Sequence, residues 1–204
     1  MTTGEDAGST WSVLVRRAQR GDVPAFVRLA EEHQGALFAF ATAQLGDPSE
    51  AGDVAQEALV KAFRKLKTYR FEAPFRTWLL QIARNVCIDL FRKRQATAEG
   101  VRRYARLGAE DSPPDPEAQA RAHELAEEVH AALGAVDPLF REVVILFDLQ
   151  GHSYHEVADI CGVPIGTVRS RLSRGREALR IALKERGHLE IPRGARGREE
   201  KKTP

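Results

Sequence analysis

Residues 153–180 read SYHEVADICGVPIGTVRSRLSRGREALR, two short helices joined by a tight turn. Ser153 and Glu156 make the S-x-x-E pattern in which each side chain satisfies a free backbone N–H at a helix start, so a helix begins at Ser153. Val157, Ala158 and Cys161 give it an apolar side. Gly162 stands where a left-handed residue ends a helix. Pro164 suits the first turn of the next, where a missing N–H costs nothing. In that second helix Ile165, Val168, Leu172, Gly175 and Leu179 recur at steps of three and four, which makes one buried stripe. The remaining faces carry Arg169, Ser170, Arg171, Ser173, Arg174 and Arg176. Between Gly162 and Lys184 five arginines and one lysine oppose a single glutamate, whereas a merely solvated helix mixes its signs for i,i+4 pairing. Arginine and serine along one helical edge suit the phosphates and base edges of a DNA major groove. The segment is therefore predicted to be a DNA-binding helix-turn-helix with 164–180 as its reading helix.

The rest of the chain sets limits on that reading. With 43% hydrophobic and 29% charged residues, the 204-residue chain has the composition of a soluble globular protein. Net charge is only +2, so affinity for nucleic acid must come from local patches, and acidic surfaces elsewhere are free to meet a protein partner. In the second half the longest apolar run is Val143–Phe147, too short to cross a membrane. The polar N-terminus MTTGEDAGST has no basic-then-apolar signal pattern, and cytoplasmic residence without membrane insertion is expected. Cys87 and Cys161, the only cysteines, lie on apolar helical faces and read as buried small residues.

Helical periodicity dominates throughout, and the expected fold is all-α: two small helical domains joined by a flexible linker, the C-terminal one containing the helix-turn-helix. Residues 1–10 are expected to be a disordered tail. An N-terminal domain follows at 11–95, with helices broken at Gly21-Asp22-Val23-Pro24 and at Gly46-Asp47-Pro48. Its third helix is expected from Ser49 to Leu66 and its fourth from Arg76 to about Arg94. Apolar periodicity fades from Gln95, and Pro113, Pro114 and Pro116 gather there with Gly100 and Gly108, which predicts a linker over 96–117. The C-terminal domain spans 118–184. Asp115-Pro116 and Asp137-Pro138 read as helix starts, with Leu125, Val129 and Leu133 on a buried side. The charged tail 185–204 is expected to be disordered.

Two further runs carry a specific likeness: DVAQEALVKAFRKL (Asp53–Leu66) and FRTWLLQIARNVCIDLFRKR (Phe75–Arg94). Together with Asp137–Val143 and the helix-turn-helix, and in this order, they resemble a bacterial sigma-70 family sigma factor of the extracytoplasmic-function group. The likeness covers about Trp11 to Leu183. It implies a chain that binds core RNA polymerase through the clamp helices of the largest subunit and the flap region, selects promoters by their minus-ten and minus-thirty-five elements, and promotes strand opening. It also implies control by an anti-sigma protein. Asp53, Gln56, Glu57, Val60 and Arg64 would face polymerase, an acidic and amide edge suited to a basic coiled coil. Val54 or Ala55, Leu59, Ala62 and Leu66 would be the core side of that helix. Lys67, Tyr69, Arg70 and Phe71 in the loop, with Trp78, Arg84, Asn85, Arg92 and Lys93 on the helix, would meet the minus-ten strand, where rings, amides and cations stabilise unstacked bases. Family members often carry a more acidic pair where this chain has Val54-Ala55.

Other classes fit less well. A response regulator would need alternating strands and clustered aspartates, and the N-terminal half reads as helices only. His152, His155 and Cys161 have loose spacing for a metal site, and both histidines are expected to be exposed. No nucleophile with a base, phosphate-cradling loop or paired carboxylates stands out, so no catalytic residues, cofactors or metal are expected.

Overall fold

The computed structural model describes residues 5–100 and 128–186. Four helices make the N-terminal bundle: α1 (Glu5–Gln19), α2 (Val23–Leu45), α3 (Pro48–Lys65) and α4 (Phe75–Gly100). The C-terminal part holds α5 (128–134), α6 (Pro138–Val144), a wide π turn at Ile145–Leu149, α7 (Tyr154–Cys161) and α8 (Ile165–Glu185). Among the described residues there is no strand.

One device starts three of these helices, an aspartate cap close before a proline. Asp22 accepts from the Ala25 N–H, Asp47 from Ser49 and Glu50, and Asp137 from Leu139. Each carboxylate satisfies backbone donors that the first turn leaves open and complements the positive helix end. The turn before α8 follows the sequence: Ser153 and Glu156 form the complete capping box, and Gly162 has φ 64°.

Two boundaries differ from expectation. Helix α1 begins at Glu5, inside the stretch predicted as tail. Once Leu14, Val15 and Ala18 are anchored in the core, each added residue extends a helix already nucleated, at little cost. Helix α4 likewise runs to Gly100, past the predicted boundary at 95, because no proline or glycine interrupts Arg94–Glu99. The rest of the predicted linker, the Asp115-Pro116 start, Leu125 and the tail from 187 lie outside the described residues.

The two domains pack directly against each other. Leu29, Phe40 and Leu79 of the first and Leu133, Leu146 and Val168 of the second belong to one continuous apolar cluster. Within the second domain, α8 crosses α6 at Gly175. A Cβ there would lie 2.7 Å from Val144 Cγ2 and 2.9 Å from the Phe140 carbonyl oxygen. The backbone oxygen cannot step aside as a side chain would. Gly175→Ala should therefore lower stability by about 1–3 kcal/mol despite alanine's better helix propensity, as overpacking does; chemical denaturation checks this, and an unchanged midpoint would contradict the close approach.

Candidate nucleic-acid interface

The α3 face expected to meet polymerase is assembled as the spacing implied. Asp53, Gln56, Glu57, Val60 and Arg64 are all exposed on one side, and Val54, Ala55, Ala62 and Leu66 are buried. Leu59 is only half-buried, and Ala58 takes the core position instead, since its small side chain lets the neighbouring helix approach. Across from this face, α4 contributes Asp89, Arg92 and Lys93 to a shared groove of about 440 Å³ with Asp53, Glu57 and Lys61. Lys61 bridges the two helices, at 2.8 Å from Glu57 and 3.8 Å from Asp89. Arg94 pairs with Glu50 at the same end.

The loop before α4 is built around an aromatic cluster. Tyr69 is buried at 7% exposure, donates its hydroxyl to the Ala73 carbonyl at 2.6 Å, and stacks among Phe71, Phe75 and Trp78. This placement makes Tyr69 a support for the loop; its ring is used up by its neighbours. Phe71 has φ 62°, a left-handed conformation costly for an aromatic residue. The Tyr69 ring on one side and the Arg16 guanidinium, 4.7 Å from its centroid, hold it there. Under the loop opens a cleft of about 500 Å³ walled by Trp11, Val15, His33, Tyr69, Phe71 and Phe75. Trp11, His33 and Phe75 escaped the sequence reading because their own helices assign them to ordinary apolar stripes. Lys67 and Arg70 are exposed beside the loop, Trp78 is half-buried, and Asn85, Arg92 and Lys93 are exposed along α4.

On the reading helix α8, Arg169, Ser170, Ser173, Arg174 and Arg176 are exposed, while Val168, Leu172 and Gly175 are buried as the stripe predicted. The π turn brings Phe147 and Asp148 against this helix. Arg176 chelates Asp148 through Nε at 2.9 Å and Nη2 at 2.5 Å, and its guanidinium lies 5.5 Å from the Phe147 centroid. Phe147 stacks on Tyr154 at 4.5 Å, and Arg169 lies over Tyr154 at 5.4 Å. Two arginines two turns apart are thus braced by one aromatic pair, which limits their rotamers before any ligand arrives. Ser170 donates its hydroxyl to the Thr167 carbonyl at 3.0 Å.

Arg84 and Arg171 do not share this exposure. Both turn inward to Glu142 of α6, itself 2% exposed. Burial alone would lower the Arg84 pKa, and the bond and charge of Glu142 more than offset it, so the pKa rises. Glu142 could not be singled out from the sequence, since its partners lie 58 residues before it and 29 after.

His152 is buried at 6% exposure, contrary to expectation, because the π turn folds it inward with its backbone N–H on the Leu146 carbonyl; His155 is exposed. Cys87 and Cys161 are buried, and burial first, then the Glu142 charge, pushes both thiols up to about 12.

Comparison with known proteins gives this arrangement a context. Residues 29–97 match the family described as Sigma-70 region 2, and residues 126–179 match Sigma-70, region 4. The chain is 34% identical over 183 residues to the ECF RNA polymerase sigma-E factor of Escherichia coli K12, covering 83% of this chain and 92% of that one. It is 35% identical over 163 residues to the ECF RNA polymerase sigma factor SigE of Mycolicibacterium smegmatis, covering 78% of this chain but spanning only 61% of that relative. Among solved structures, the sigma factor RpoE of Bartonella quintana, in complex with the anti-sigma factor NepR, aligns at a TM-score of 0.62 with 29% identity, covering 78% of this chain and 96% of that one.

Two histidines, His33 half-buried and His152 buried, give the fold an acid sensitivity. Burial lowers the His33 pKa, and burial with the nearby Arg76 charge lowers that of His152, from an ordinary 6.5. Below that value the unfolded chain binds protons that the folded chain refuses, so stability present above it is lost as pH falls toward the folded values. The thermal midpoint should drop between about pH 7.5 and about pH 5.5, and less so in His152→Gln. Equal midpoints across that window in the unaltered chain would contradict the withdrawal of both rings from water.

Proposed function

The chain belongs to the extracytoplasmic-function group of sigma-70 factors, and from that premise we propose how its surfaces divide the work of initiation. It binds core RNA polymerase and directs it to promoters. Asp53, Gln56, Glu57, Val60 and Arg64 dock α3 on the clamp helices of the largest subunit, where the acidic edge steers by charge and the amide fixes register. The C-terminal domain sits near the flap. The loop and α4 take the minus-ten strand: the aromatic-walled cleft accepts an unstacked base, and Lys67, Arg70, Asn85, Arg92 and Lys93 hold the strand around it.

Helix α8 reads the minus-thirty-five duplex. The observation that carries this assignment is the exposed edge Arg169, Ser170, Ser173 and Arg174, with Arg169 braced on Tyr154. A guanidinium already restrained in one direction loses less freedom on contacting a base pair. The role includes no chemistry by this chain, since bond formation belongs to the core enzyme. It acts in the cytoplasm with polymerase, and an anti-sigma protein holds it inactive, as the NepR complex of the similar RpoE suggests.

Mixing the chain with core RNA polymerase and templates randomised upstream tests the role. Specific transcripts that depend on the chain are expected. DNA binding without polymerase association would favour a free-standing regulator. In the same assay Arg169→Ala should cut discrimination at one minus-thirty-five position by about 5- to 150-fold, corresponding to ~1–3 kcal/mol, with core binding unchanged. An equal loss of core binding would overturn the assignment of Arg169 to DNA.

A further inference from the structure

Between Thr68 and Phe75 the loop before α4 has no regular structure, so its backbone groups need partners from elsewhere. Helix α1 supplies them. The Gln19 side-chain amide donates to the Leu66 carbonyl at 3.0 Å and to the Tyr69 carbonyl at 2.8 Å, 47 and 50 residues away in sequence. The same two residues bracket a 3-10 turn at Leu66–Thr68, closed by the Tyr69 N–H on the Leu66 oxygen at 3.1 Å. Both hydrogens of one amide are thus spent on fixing where the loop leaves α3. A residue that only filled space there would be apolar; the two donors serve the loop.

The same helix meets the loop twice more. Arg16 places its guanidinium 4.7 Å from the Phe71 centroid, and Trp11, Ser12 and Val15 wall the cleft beside that ring. Phe71, at φ 62°, is the strained residue of the loop. Such a conformation persists only where the surroundings over-determine it. Without those restraints the backbone can relax to negative φ, which carries the ring off the cleft wall. Helix α1 lies ahead of the stretch matched to Sigma-70 region 2, which begins at residue 29.

We propose that α1 is the positioning element for strand opening: Gln19 and Arg16 hold the loop in the form that receives the unstacked minus-ten base. This rests on the reading of loop and cleft as the minus-ten site. Gln19 is a positioning residue, acting through the Leu66 and Tyr69 backbone. Arg16 acts through the Phe71 ring.

The test is initiation with core polymerase, read as base preference at the minus-ten position where the unaltered chain discriminates most. Loss of folded chain lowers transcription from every base alike, so the preference ratio separates positioning from stability. Gln19→Glu keeps the size of the side chain and sets acceptors against two carbonyl oxygens. It should cut initiation by about ten- to 100-fold, as misplacing a binding group by about an ångström does, and bring the preference close to parity with core binding unchanged. Arg16→Ala should lower the preference in the same direction. Arg20→Ala removes the same charge from the same helix, where Arg20 bonds only the Arg16 carbonyl among its printed partners' backbone, and should leave the preference intact. Retention of the preference in either loop-facing variant, loss of core binding alongside it, or a match between Arg20→Ala and Arg16→Ala overturns the proposal. If Gln19→Glu fails to fold, Arg16→Ala, a change at an exposed side chain, decides by the same ratio. An unaltered chain that initiates with no minus-ten preference removes the underlying reading as well; a preference that the variants keep removes only the role of α1.

Discussion

A carboxylate with almost no contact with water needs partners that replace its hydration, and Glu142 has two guanidinium groups. Much else follows from meeting that condition. Helix α4 must present Arg84 toward the second domain, and α8 must come close enough for Arg171 to reach. The approach of α8 to α6 at Gly175 makes the second contact feasible, since any larger residue would push the helices apart. Removing one member of such a buried group is costly, about 3–5 kcal/mol, because the others are left uncompensated. Here one member, Arg84, lies across the domain boundary, and the other, Arg171, lies in the same domain as Glu142.

Arg141 meets the same condition by another route. Its buried guanidinium donates to the carbonyls of Gly134 at 2.8 Å, Val136 at 2.8 Å and Gln44 at 2.5 Å. These carbonyls lie at the C-terminal ends of α5 and α2, where unpaired oxygens and the helix dipole concentrate negative charge. One cation thus closes two helix ends, one from each domain. An interface that combines such polar closures with apolar contact can open and reclose, because each polar group finds water when it parts.

Local chemistry was legible in the sequence wherever one segment contained the whole device. The capping box at Ser153, the turn at Gly162 and the stripe from Ile165 to Leu179 needed no information from elsewhere. The same holds for the outward face of α3, which a 3.6-residue period defines. What could not be read were pairings between distant segments: Glu142 with Arg84, Arg141 with Gln44, and Trp11 and His33 facing the loop at Phe71. His152 failed for a related reason. Periodicity assumes a regular helix, and the π turn before His152 rotates the chain out of that register. The two helix extensions, at Glu5 and Gly100, reflect cooperativity rather than any start or stop residue.

The distance between the two domains tests the account most directly. Labels at Glu31 and Lys184, both exposed, would report it, and the buried native thiols, with pKa pushed up to about 12, leave the introduced sites the reactive ones. The account predicts one short separation in the free chain and an increase of several tens of ångströms when core polymerase and a promoter are added together. An unchanged separation in a complex that is making transcripts would contradict it.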